Sequence, residues 1–286
     1  MNTIIRLIRQ EMGKSQEELA QMLGSSFTSV NRWENGRAVP GKMAQKQLYE
    51  LSKEKGISVE KMIMQKIHEA VSDAHVDPSR ITLYHGSKAG IQGIIAPISR
   101  EKCDFGPGFY MGTDPYQPLT LISDFEESKF YIVSLSLEGL NTLSVRPDLE
   151  WAMLVAFYRG KMERIRGTKL YETYAQRAQG VDIVIGSIAN DRMFYVLDNF
   201  FLGNITDKAL VMSLSALQLG QQYVALTQKA CDAVQIEKEI PLSYLERQYM
   251  KDISEANRAK GIELANDICR NYRREGLFFD ELLDMN

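Results

Sequence analysis

Cysteine and histidine are both scarce, with three of each in 286 residues. Cys103, Cys231 and Cys269 are odd in number and far apart, which argues for reduced thiols in a cytoplasm. They lack the paired spacing of a zinc site, and three histidines are too few for a metal cage, so no metal is expected. No run approaches the roughly 18 apolar residues of a membrane span, and the N-terminus has no signal-peptide pattern. A cytoplasmic protein with no membrane partner is expected. The standard catalytic signatures are missing too: no GxxxxGK[ST] phosphate loop, no HExxH, no GxSxG elbow. Asp104-Phe105-Gly106 does not make a kinase, because the other anchors for phosphate and magnesium are absent. Internal repeats and low-complexity segments are absent as well.

What is present suits a soluble globular chain, with 44% hydrophobic and 25% charged residues. Its length suggests two domains, or one large domain with an appendage. The net charge of −3 is unevenly divided. Residues 1–66 carry 11 lysines and arginines against 7 acidic residues, net +4, which leaves −7 for the remainder. A basic head on an acidic body fits a nucleic-acid contact confined to the head.

The head, 1–66, reads as short helices. Ile4, Ile5, Leu7 and Ile8 mark the buried side of the first. Ser15 with Glu18 forms a capping box that opens a helix from Gln16 to Leu23, which Gly24 stops. Ser25 or Ser26 caps a third helix, from Phe27 to about Glu34, with Val30 and Trp33 inward. Two short helices joined by a glycine turn make a helix-turn-helix. Gln16, Leu19, Ala20, Gly24, Val30, Trp33, Glu34, Gly36 and Pro40 resemble the XRE-type, lambda-repressor-like family. That resemblance implies that the helix from Phe27 enters the DNA major groove. Thr28, Asn31 and Arg32 would reach bases or phosphates, with Ser26 and Arg37 near the backbone. A helix-turn-helix used only for protein contacts is the other reading.

Residues 67–80 look like a helix end and a polar connector containing Pro78, with His68 and His75 as solvated surface residues. From Ile81 strands and helices intermingle. Strands are expected at Ile81–His85, within Gly90–Ile98, up to Thr113, and at Lys129–Leu137, Thr142–Val145, Ile183–Gly186 and Gln222–Leu226. Helices are expected at Tyr116–Phe125, Asp148–Tyr158, Asn190–Phe201 and Asp207–Leu217, with a helical turn at Gln228–Val234. The tail, 241–286, reads as one or two amphipathic helices and a last apolar segment, LFFDELLDM, that docks back or meets a partner.

Two stretches stand out in the body: Tyr84-His85-Gly86-Ser87, and the glycine-rich run from Cys103 to Asp114. With Ser99-Arg100, Asp104-Phe105-Gly106, Gly108-Phe109-Tyr110, Thr113, Asp182 to Gly186, Ala189-Asn190-Asp191 and Gln221-Gln222-Tyr223, they resemble the ADP-ribosyltransferase superfamily. Within it they are similar to bacterial families of uncharacterised function of the DUF3990 type. The resemblance covers residues 81–240 and implies an α+β fold: a small all-α helix-turn-helix domain, then a mixed α/β domain with a helical tail.

It also implies a site of three residues on separate strands, here His85, Tyr110 and Gln222, with NAD as substrate. His85 would bond a ribose hydroxyl, Gly86 the nicotinamide amide, Tyr110 would stack on the ring, and Arg100 would pair with the pyrophosphate. Tyr84, Ser87, Asp104, Gly106, Gly108, Phe109 and Thr113 would complete the NAD-binding set. Gln222 stands where a glutamate is usual; an amide can bond a hydroxyl but cannot take a proton, and Asp191 is a substitute acid. The expected activity is a glycosyltransferase step that releases nicotinamide and moves ADP-ribose to a nucleic-acid or protein acceptor. A toxin or phage-defence effector that represses its own operon, with an antitoxin or a second copy as partner, fits that activity. The alternative is a transcriptional regulator whose inactive domain senses NAD or ADP-ribose.

Overall fold

In the computed structural model, which describes residues 1–188, 191–216, 220–272 and 274–285, the basic head is five helices. They are α1 (Asn2–Glu11), α2 (Gln16–Met22), α3 (Phe27–Glu34), α4 (Lys42–Glu54) and α5 (Val59–Ala74). Ser15 and Glu18 cap α2 reciprocally, and the Ser26 hydroxyl accepts the Ser29 N–H at the start of α3. The fifth helix carries on through residues 67–74, where a connector was expected to begin. Glu69 and Asp73 belong to the polar side of this amphipathic helix, while Ile63, Ile67 and Ala70 are buried.

The body follows as β1 (Ile81–Ser87), β2 (Phe109–Gly112), α6 (Tyr116–Leu121), β3 (Lys129–Leu135), β4 (Thr142–Ser144), α7 (Leu149–Tyr158) and α8 (Lys169–Gln176). Then come β5 (Ile183–Ser187), α9 (Asp191–Phe201), α10 (Asp207–Ala216), β6 (Gln221–Ala225), α11 (Gln228–Asp232) and β7 (Val234–Pro241). The tail is α12 (Tyr244–Tyr272) and α13 (Phe279–Asp284). The overall class is α+β.

Seven strands form one sheet in the order β4-β5-β6-β2-β1-β3-β7. Only β4 and β5 run parallel; the other neighbours are antiparallel. Side chains alternate across a strand, so the register sorts the residues by face. Tyr84, Tyr110, Ile132, Val184, Gln222 and Val224 share one face; Leu83, His85, Phe109, Met111 and Tyr131 share the other. On the first face, α7, α9, α10 and α13 cover the β5-β6 half through Trp151, Leu154, Phe200, Leu210 and Phe279. The head covers the β1-β3-β7 half.

This second cluster is continuous from Ile4, Val30, Leu48 and Ile63 of the head to Phe130, Ile132, Ile240 and Leu245 of the body. Polar contacts reinforce it: the Tyr49 hydroxyl donates to Asp252 at 2.8 Å, Ser52 meets Tyr249 at 2.6 Å, and Lys66 pairs with the buried Glu246 at 2.6 Å. The opposite face has no long helix on it among the described residues; α11 and the loop between β1 and β2 cover it through Ala230, Cys231, Ile91 and Ile95.

One expected strand needs correcting. Residues 90–98 are a loop, not a strand: Ile91 N–H donates to the Tyr131 hydroxyl and the Ile95 carbonyl accepts from Gln228, so side chains rather than a ladder satisfy this backbone. Strand β7 and helix α8 fill stretches to which no element was assigned, and the long amphipathic helix expected in the tail is α12, continuous over 29 residues. The last segment does dock back, with Phe279 and Leu283 buried.

Candidate functional site

The first surface with a recognisable task is α3. It packs on α1 and α2, pinned by Glu34. Glu34 is 1% exposed and accepts from Arg9 at 2.6 Å and from Gln16 at 2.7 Å. Burial by itself would raise this carboxyl's pKa, but Arg9 and Gln16 outweigh it and hold it low. Thr28, Arg32 and Arg37 lie on the exposed side, ready for a phosphate or a base edge. Ser26 and Asn31 have work inside the fold: Ser26 caps α3, and the Asn31 amide donates to Gln16 at 3.1 Å.

The second surface is a split in the sheet. Strand β1 pairs with β3 along all seven residues, but with β2 only at Tyr84 opposite Gly112. Past that point β1 and β2 part, and the His85 ring bridges the gap, with Nδ1 2.7 Å from the Tyr110 carbonyl oxygen. A carbonyl can only accept, so Nδ1 carries the proton and Nε2 is left as an acceptor. Burial lowers the pKa of His85, only partly opposed by the Tyr110 carbonyl, so the ring is neutral at pH 7. Its plane stacks on Phe109 at 4.2 Å. Beyond it, the backbone edges of Gly86 and Ser87 on one side and Phe109 on the other have no strand partner across the gap. This parting of the hydrogen-bond ladder, hereafter the slot, has a neutral imidazole at its closed end and peptide groups along its sides.

Residues 81–236 match the model of a family described as a protein of unknown function, DUF3990. The chain belongs to that family. Residues 5–48 match a helix-turn-helix model, which together with the exposed side of α3 supports DNA binding. No curated protein and no solved structure matches the chain. No helix among the described residues is long and apolar enough to cross a membrane.

The loop that leads into the slot of the DUF3990 domain is built on its glycines. Gly106 has φ +76°, a conformation that favours glycine, and its N–H donates to Cys103. A Cβ on Gly108 would lie 2.6 Å from Val224 Cγ1 and 3.0 Å from the Ala225 carbonyl, so only glycine lets β2 start against β6. The Ser99 hydroxyl accepts the Gly108 N–H at 3.0 Å and closes the turn.

Several of the expected ligand contacts are committed elsewhere in this fold. Asp104 is buried and receives Arg159 through two bonds of 2.6 and 3.1 Å, so it anchors the loop. The Tyr110 hydroxyl accepts from Phe105 N–H at 3.0 Å and donates to Gly106 at 2.7 Å, and burial pushes its pKa far up. Tyr110 therefore meets His85 through its carbonyl, while its ring lies on the other face. Gln222 shares that face with Tyr110; it is 3% exposed and its amide donates to the Ser187 carbonyl at 2.8 Å. His85, Tyr110 and Gln222 thus come from neighbouring strands, but their side chains do not converge.

Of the rest, Tyr84 stacks on Phe130, and Thr113 exchanges hydrogen bonds with the Gln221 backbone. Arg100 is exposed, with no hydrogen bond or ion pair among the described residues. Gly86 and Ser87 line the slot. The Asp191 side chain, and Ala189 and Asn190, lie outside the described residues. Arg159 and Ser187 were not anticipated, since nothing in the sequence ties either to its partner 55 or 35 residues away.

Proposed function

We propose that this chain is a DNA-binding protein whose DUF3990 domain takes NAD into the slot between β1 and β2 and transfers ADP-ribose to a macromolecule. The observation that carries the reading is the parted pair of strands with neutral His85 wedged between them. Nε2 of His85 is an acceptor for a ribose hydroxyl, and the unpaired backbone of Gly86 and Ser87 suits a flat carboxamide. Arg100, exposed and without a partner among the described residues, is the guanidinium for a pyrophosphate. In the transfer, the bond between nicotinamide and ribose breaks and its electron pair leaves with nicotinamide. A nucleophilic atom of the acceptor bonds to the ribose carbon and gives up its proton to solvent. Positive charge gathers on the ribose meanwhile, and the fixed peptide dipoles of the slot favour it. With the head on DNA, a nucleic acid or a DNA-bound protein is the nearest acceptor, as a self-repressing toxin or phage-defence effector, with or without an antitoxin, would use it.

A second reading rests on Gln222. Its amide is spent on Ser187, and an amide cannot take a proton from an acceptor, which favours a domain that binds NAD or ADP-ribose without turning it over. Labelled NAD incubated with the protein and cell extract, treated in parallel with nuclease or protease, separates the two. Label on a macromolecule, reduced at least about 100-fold by His85→Ala, is expected. Binding without label would move the assignment to the sensor, and neither binding nor nicotinamide release would end both.

A further inference from the structure

Helix α6 lies between the slot and the DNA-binding head and touches both. Its inner side rests directly on the slot: a Cβ on Gly86 would stand 2.7 Å from the Pro118 carbonyl and 2.9 Å from Ile122 Cγ2. There is no room for the Gly86 backbone to move towards α6 unless the helix moves with it. At its other end the Tyr116 hydroxyl donates to Glu60 of α5 at 2.7 Å, while the Tyr116 N–H donates to Asp114 at 2.9 Å. Leu119 and Ile122 are fully buried in the cluster that holds Ile63 and Ile67 of α5 and Ile4 and Val30 of the head. Strand β2, the other wall of the slot, runs through Thr113-Asp114-Pro115 straight into this helix.

From this placement we infer that α6 is a lever: the state of the slot sets the affinity of the head for DNA, through Gly86, Pro118 and the Tyr116–Glu60 bond. The inference deepens the reading of the slot as an NAD site and names its regulation. A ligand seated on the Gly86 backbone shifts α6, loosens the tether to α5 and weakens DNA binding. By linkage, DNA weakens the ligand by the same factor.

The test uses the full chain and a duplex that it selects from a random pool, so that no operator need be known. Without any ligand, Gly86→Ala drives α6 outward and weakens DNA binding by about fivefold or more, the lower end of ordinary allosteric coupling. In a Tyr116→Phe background, where the tether is already cut, the same substitution has little further effect. Independent, additive effects would overturn the lever. If Gly86→Ala does not fold, as thermal unfolding would reveal, Tyr116→Phe alone must weaken DNA binding, and unchanged affinity would overturn the inference. In parallel, NAD is titrated calorimetrically and DNA affinity measured at saturation. NAD that binds and leaves DNA affinity unchanged also overturns it. A coupled pair of substitutions in a protein that binds no NAD keeps the lever and removes the slot's assigned ligand.

Discussion

Arg159 reaches back from the end of α7 to Asp104, and both side chains are nearly buried, 12% and 11% exposed. Breaking such a pair leaves a carboxylate without its partner in a poorly solvated place, which costs more than the pair contributes. Arg159→Met is therefore expected to destabilise the protein by about 3 kcal/mol in urea unfolding. Asp104→Asn should cost less, because the amide oxygen still accepts one bond. At this scale the sequence was partly legible. Asp104 and Gly106 stood out as part of a glycine-rich run and a family pattern, but the partner of Asp104, Arg159, did not. The register between strands, which turns Tyr110 and Gln222 away from His85, depends on pairings over 100 residues apart in the chain, such as Gly112 with Gln222. Local pattern carries no trace of it.

Among the elements, those with local signals were the easiest to read. The α2 capping box, the serine cap of α3 and the glycine stop after α2 each act within a few residues, and all are where the sequence put them. Strand β7 was hidden because it is an edge strand. In its sequence, VQIEKEIP, Lys238 interrupts the apolar alternation of Val234, Ile236 and Ile240, and Glu237, Lys238 and Glu239 find partners in Ser134, Asp73 and Lys129 instead of solvent alone. The apolar run at 90–98 misled in the opposite direction: isoleucines suggested a strand where two side chains hold a loop. The start of β2 is more tightly specified. Gly108→Ala must push β2 off β6 at Val224, and a loss of about 1–3 kcal/mol is expected from denaturant midpoints. A loss below about 0.5 kcal/mol would mean that the turn is softer than its contacts imply.

Over the whole molecule, head and body share one apolar cluster, a union that two separate motif matches gave no reason to expect. Glu246 is the charged group at its centre. Burial alone would raise its pKa above the ordinary 4.5, but Lys66, the Met1 ammonium and Ser243 together hold it at about 2. Its folded value lies below the unfolded one, so the stabilisation is complete above about pH 4.5 and is lost as the pH falls towards 2. Lys66→Met removes one of the two counter-charges, so burial is opposed only by the Met1 ammonium and Ser243 and the pKa rises from about 2. The variant should be about 3 kcal/mol less stable at pH 7, and its deficit should shrink as the pH falls towards 2 when unfolding is followed against pH. A deficit independent of pH would assign the loss to packing. The same cluster is completed by Leu245, Tyr249 and Met250 of α12, which come late in the chain. On the ribosome the head emerges before the body, yet the side of α4 and α5 that meets α12 stays uncovered until nearly all of the body has been made. A chain stalled before Tyr244 therefore lacks the apolar side chains that finish this cluster and leaves α4 and α5 without their cover from α12. Synthesis through α12 thus becomes a condition for closing the apolar side of the head.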